Sequence, residues 1–200
     1  MAIASPNNTV SKARQALLDR GFKAKCERTS LSLRKDLGLN DYDAIDPIHL
    51  ATKLGAKVWS LHDVPGLSTE ALSHLSSAEG DEWSAITVVC DGTEIIVPNP
   101  SHSPGRSASD VAHELAHLIL GHESGDMFMS DDGFMLRDFN DKQEAEADWL
   151  AGAILLPRKA LEHIKYNHVS AEDVAEQYGV SEQLFEYRCR MTAVNRQYRW

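Results

Sequence analysis

Apolar residues recur at three- and four-residue spacing over most of this chain, and only one central stretch has the character of strands. From Ser11 to Leu37, Ala13, Ala16, Leu17 and Leu18 and then Leu31, Leu33 and Leu37 keep a helical period, with a break near Gly21 and a stop at Gly38. Asp46-Pro47 opens a short helix over Pro47 to Leu54, and Gly55 closes it. Ala56 to Leu61 predicts a strand and Ser68 to Leu75 a short helix. Trp83 to Cys90 and Thr93 to Val97 are β-rich runs separated by Asp91-Gly92, the composition of a two-residue type I′ turn, so they predict a hairpin.

After the loop punctuated by Pro98, Pro100 and Pro104, the pattern returns to helices. Ser107 and Asp110 have the spacing of a capping box and predict a helix from there to Gly121. Asp141 is the expected cap of a helix that runs to about Leu156 and stops at Pro157. Arg158 to Tyr166 follows, and Ser170 to Ala193 reads as two helices broken at Gly179. Between Gly121 and Asp141, His122 to Asn140 has no clear period but carries Met127, Phe128, Met129, Phe134 and Met135, as a surface loop or a flap would. The prediction is an α+β chain. Residues 1–160 form a mostly helical domain with a small antiparallel sheet, and residues 161–200 form a helical tail.

Charge and cysteine content narrow the class. A formal net charge of -10 repels phosphate backbones and anionic membranes. Cys26, Cys90 and Cys189 are far apart and make no C-x-x-C pair, so buried free thiols are expected rather than disulfides or a thiolate metal site. Met1 to Phe22 has no continuous apolar core of a signal peptide, and the runs near Ile119 and Ile154 are too short to span a bilayer. A cytoplasmic protein is the expectation.

The chemistry is concentrated in His113-Glu114-Leu115-Ala116-His117, inside an otherwise apolar run. Histidines four apart lie about 40° apart around a helix and one turn along it, so both imidazoles reach one ion. Glu114, beside the first histidine, can then hold a metal-bound water. A zinc hydrolase needs a third protein ligand. His122 does not fit the metzincin spacing, since that pattern asks for Gly at 120 and His at 123 where this chain has Leu120 and Glu123; it reads as a surface or helix-end histidine. Glu144 fits better. On a helical wheel it shares a face with Ala147, Asp148, Ala151, Ile154 and Leu155, so two carboxylates sit in a stripe of small and apolar residues. Metal ligation by Glu144, with Asp148 orienting a ligand histidine, removes the cost of that placement; dipole-complementing acids do not explain it. Glu146 points elsewhere and reads as a solvated charge. The metal expected for His113, His117 and Glu144 is Zn2+.

These residues, with Leu150-Ala151 and Leu155-Leu156-Pro157 and more weakly Trp83-Ser84-Ala85, Ile96-Val97 and Asn99-Pro100, resemble the ImmA/IrrE family of bacterial zinc metallopeptidases. The resemblance covers roughly residues 30–160. It implies His113, His117 and Glu144 as zinc ligands and Glu114 as general base, with Asp148 where the family often has asparagine. It further implies a cytoplasmic peptidase acting on a helix-turn-helix repressor or antitoxin, in phage induction, stress response or toxin–antitoxin circuits.

For the oxyanion, Arg106, Tyr166 and His102 are candidates, and the hairpin offers an edge strand for a substrate backbone. The tail supplies a rival reading. Ala175, Gly179 and Ser181 have helix-turn-helix spacing, which would make the chain a DNA-binding or protein-binding regulator with a metal-sensing domain. Glu182 and Glu186 stand where a DNA reader would approach phosphate, so direct nucleic-acid binding is not expected. A metal-binding but inactive interaction protein is a third possibility, and it has no use for Glu114.

Overall fold

In a computed structural model, residues 16–76, 83–90, 92–123, 127–129, 135–137 and 139–198 are described. Chain order is α1 (Phe22–Asp36), α2 (Pro47–Lys53), β1 (Lys57–Val58), a 3-10 turn (Leu61–Asp63), α3 (Thr69–Leu75), β2 (Ala85–Cys90) and β3 (Thr93–Pro98). There follow α4 (Pro104–Leu120), β4 (Met127–Met129), β5 (Met135–Arg137), α5 (Asp141–Leu155), α6 (Arg158–Tyr166), α7 (Ala171–Tyr178), α8 (Glu182–Met191) and α9 (Val194–Gln197). The fold is α+β, as the pattern predicts.

Several element ends differ from the sequence expectation, each for a local reason. α4 starts at Pro104, not Ser107, because the fixed φ of proline suits a first helical turn and its missing N–H is not needed there. α5 is capped by Asn140 rather than Asp141. The Asn140 side chain accepts from the Lys142 and Gln143 N–H groups, and Gln143 returns a bond to the Asn140 N–H. The strand expected over Ala56 to Leu61 is reduced to Lys57–Val58, since Asp63 accepts from the Ser60 N–H and hydroxyl and pulls Leu61–Asp63 into a turn.

The hairpin pairs Ala85 with Pro98 through to Cys90 with Thr93, which leaves a two-residue connection; Asp91 lies outside the described residues. β1 adds parallel to β3, so the sheet is mixed rather than purely antiparallel, in the order β1-β3-β2. β2 is therefore an outer strand. The connection expected to lack regular structure contains the short antiparallel pair β4–β5, while its remaining residues fall largely outside those described.

The core forms around α4 and α5. Ala112, Leu115 and Ala116 of α4 and Ala147, Ala153 and Ile154 of α5 are all fully buried in one core, where small residues let helices approach closely. The C-terminal end of α5 is unusually well satisfied. Ser30 of α1 donates to the Ala153 carbonyl, Arg34 to Ile154, and Arg188 of α8 to Leu156. A helix that stops before a proline leaves such carbonyls without intrahelical donors, and here side chains from two other helices supply them. Both guanidinium groups are fully buried.

The tail shares this core through Val174, Tyr178, Val180, Phe185, Cys189 and Val194. Arg188 lies across Gly152, where a Cβ would come within 3.0 Å of its Cδ, and ion-pairs with Glu27 of α1 at 2.7 Å. Glu27 also accepts from the Arg158 N–H at the start of α6. At the other end of the tail's turn, a Cβ on Gly105 would stand 2.8 Å from the Val180 carbonyl carbon. Cys26 and Cys189 are buried, whereas Cys90, at the end of β2, is exposed, against the expectation for all three. Burial pushes the Cys26 thiol up to about 12. Among the described residues, no helix is long and apolar enough to cross a membrane.

Candidate metal centre

The middle of α4 and the first turn of α5 meet at three convergent side chains. His113 Nε2 lies 3.6 Å from Glu144 Oε2, His117 Nε2 lies 3.4 Å from Glu144 Oε1, and the two Nε2 atoms are 3.0 Å apart. One ligand atom from each of the three falls within 4.8 Å of the others, and among the described residues no second such group is found. His117 is buried, while His113 and Glu144 are partly open. Behind His113, its Nδ1 meets Asp148 Oδ1 at 3.1 Å, one turn along α5 from Glu144.

The electrostatics test whether this set suits a cation. Burial pushes the His113 imidazolium down, but Asp148 and Glu144 override it and raise its pKa to about 10. Burial lowers His117, with His113 and His122 adding to the effect and Glu144 opposing it. Burial also works against ionised Glu144, yet His113 and His117 hold it well below the usual carboxylate range. Without a metal, a proton on His113 joins the bare His117 nitrogen and the carboxylate. Two imidazole nitrogens and a carboxylate oxygen converge on one positive charge. That donor set fits zinc.

Two residues set aside by the sequence reading belong to this centre. Of the two expectations for His122, helix-end holds and surface does not: its side chain is 8% exposed and its Nδ1 lies 2.9 Å from His117 Nδ1. Glu146 is not a solvated charge either, because its Oε2 meets His122 Nε2 at 3.1 Å. The cause is the end of α4. Gly121 takes the left-handed conformation, and the His122 N–H returns to the His117 carbonyl in a Schellman-type turn, which folds the His122 ring back over His117. The sequence signal was therefore the Gly121-His122 pair following the motif. Phe139 closes the other face of His117, stacked at 3.8 Å.

Glu114 is held from the sheet. Thr87 of β2, buried at 5% exposure, donates its hydroxyl to Glu114 Oε2. No local pattern marks Thr87, since only the packing of the hairpin on α4 brings the two together. Of the oxyanion candidates, His102 is turned inward onto Asp110 of α4 by the Asn99 turn, in which Asn99 accepts from Ser101 and donates to the Trp83 carbonyl. Arg106 is exposed on the first turns of α4, and Tyr166, 70% exposed, ends α6.

Residues 68–190, more than half of the chain, match the IrrE N-terminal-like domain, a peptidase family. The chain belongs to that family. The family match spans the hairpin, both site helices and most of the tail, which agrees with the shared core described above. None of the curated proteins matches the chain. Among solved structures, a Mycobacterium tuberculosis transcriptional regulator is similar in fold, with a TM-score of 0.50 at 16% identity. The likeness covers 88% of this chain but 50% of that one, so the chain spans half the length of that structure.

Proposed function

We propose that this chain is a zinc-dependent endopeptidase. The observation that carries the reading is the convergence of His113, His117 and Glu144, with Glu114 next to the first ligand and anchored by Thr87. His113, His117 and Glu144 would hold the metal. When bound, zinc supplies a Lewis acid that polarises the scissile carbonyl and lowers the pKa of water towards neutrality. Glu114 takes a proton from the attacking water and passes it to the leaving amine. Thr87 restricts the Glu114 carboxylate to the orientation that this exchange needs. β2 is an outer strand of its sheet, carries Thr87 and lies close to β5, and an extended peptide laid along it would bring its backbone past Glu114.

The substrate proposed is a helix-turn-helix repressor or antitoxin, in a bacterial or phage stress or toxin–antitoxin circuit in the cytoplasm. Family membership supports a regulatory peptidase, and a net charge of -10 complements a basic DNA-binding partner. The same charge disfavours nucleic acid itself. In the tail, Arg188 is fully buried on Leu156 and Glu27, out of reach of phosphate, whereas Glu182 and Glu186 face outwards.

The test is incubation of the zinc-loaded protein with the product of the adjacent gene, beside the Glu114→Gln variant. Wild type should yield discrete fragments. Glu114→Gln should keep its zinc and lose about a hundred- to ten-thousandfold in cleavage rate. Equal cleavage by both would remove Glu114 from the mechanism and the peptidase reading with it.

A further inference from the structure

The two histidines are supported from behind in different ways: His113 by a carboxylate directly, His117 by a second histidine. We propose that Glu146 and His122 form a two-step relay that fixes the tautomer of His117 and so turns its Nε2 lone pair towards the metal position. This rests on the reading of His113, His117 and Glu144 as ligands.

The placement of protons follows from the contacts. Glu146 Oε2 can only accept, so the His122 Nε2 at 3.1 Å carries the hydrogen. Lys142 Nζ lies 3.9 Å from the other carboxylate oxygen, Glu146 Oε1. A neutral His122 protonated at Nε2 has a bare Nδ1. That nitrogen, 2.9 Å from His117 Nδ1, must accept, so His117 is the Nδ1–H tautomer and its Nε2 is bare. The Nε2 then faces His113 and Glu144 as a lone pair. The opposite assignment, Nδ1–H on His122, would force the hydrogen of His117 onto Nε2 and point it into the cluster. One carboxylate thus sets two rings in series.

The relay is held in place by its surroundings. The His122 N–H is bonded to the His117 carbonyl at 3.1 Å. Gln143 Nε2 donates to the Glu123 carbonyl at 3.0 Å and ties the segment after His122 to the first turn of α5. The side chains of both His117 and His122 are almost fully buried, so water does not compete for the bond between them. His122 and Glu146 are positioning residues; neither would touch substrate.

Two measurements test this. In the metal-free protein labelled with 15N, long-range imidazole spectra should show His117 as the Nδ1–H tautomer and His122 as the Nε2–H tautomer. In zinc titrations against a chromophoric chelator, His122→Phe, which keeps the ring volume but no nitrogen, should lose about ten- to a hundredfold in affinity. His122→Asn, whose amide oxygen can stand in for the accepting Nδ1, should recover most of that loss, and Glu146→Ala should weaken binding by less than His122→Phe does. A rescue by Asn separates the relay from simple packing. An Nε2–H signal for His117, or zinc bound as tightly by a folded His122→Phe as by wild type, overturns the relay alone. Wild type and Glu144→Ala both failing to bind zinc would overturn the ligand reading, and the relay's purpose with it.

Discussion

Two helix pairs carry buried charge across their contacts, and they treat it in opposite ways. In the tail, Arg188 of α8 is fully buried: its Nε donates to the Leu156 carbonyl and its Nη2 to the Glu27 carboxylate, while its Nη1 has no hydrogen-bond partner among the described residues and the guanidinium lies 5.4 Å from the centre of the Trp149 ring. The charge there meets an opposite charge. Between α4 and α5, three acceptor-type groups point at one another and are reconciled only by a positive charge. A buried charge with dedicated partners is part of the framework, while buried lone pairs aimed at a common point define a site. Along the chain α4–α5 and α7–α8 look alike, since in each a helix is ended by a left-handed glycine, Gly121 or Gly179, and followed by a capped helix, yet the partners of Arg188 come from α1 and the end of α5 rather than from α7.

The comparison is broken most forcefully by exchanging one member of each pair. Glu144→Ala should abolish stoichiometric zinc binding and peptide cleavage while leaving the circular dichroism unchanged. Arg188→Leu should do the reverse, keeping zinc affinity but losing about 3 kcal/mol of stability, the lower end of the range for a broken buried pair because Glu27 keeps some contact with water. Thermal and urea unfolding with a zinc titration of both variants would check it. Loss of zinc in Arg188→Leu would mean that the tail contributes to the site itself.

A smaller effect is expected where the tail's turn meets α4. Gly105→Ala sets a methyl group 2.8 Å from the Val180 carbonyl carbon, so backbone has to move, at a cost of about 1–3 kcal/mol. Urea denaturation measures it, and an unchanged midpoint would show that the two segments are not in contact.

The mildest perturbation is chemical. In the native protein at pH 8, iodoacetamide should modify Cys90 alone, because Cys26 and Cys189 are buried and burial raises both thiols out of the reactive range. In Arg188→Leu, Cys189 should begin to react as α8 loosens. Mass spectrometry of the tryptic peptides distinguishes the two patterns, and early labelling of Cys189 in wild type would contradict a docked tail.

Much of this was legible along the chain, for reasons that are local. Helical period, capping residues and glycine stops act within one or two turns, so the helices from α4 to α8 are found to within a few residues, and α6 to the residue, whereas the single turn of α9 lies beyond the pattern. The spacing of His113, Glu114 and His117 needs only one helix, and the placement of Glu144 and Asp148 on one wheel face needs only a second. Where the reading failed, a contact distant in the chain had overruled a local signal, or two local signals competed. Ser107 lost the helix start to Pro104, and Glu146 was judged by its own helix although its partner, His122, comes from the turn after another.

By itself, then, the amino-acid sequence determined the helices, the hairpin, the family and the five residues His113, Glu114, His117, Glu144 and Asp148 as a candidate constellation, because periodicity and motif spacing are properties of short segments. Only the tertiary structure decided which atoms meet. It brought Glu144 between the two imidazoles, set Thr87 on Glu114, folded His122 onto His117 and buried Arg188 in the tail. Each of those contacts joins groups from different elements through directional hydrogen bonds, and a difference of about 1 Å in helix packing makes or breaks such a bond.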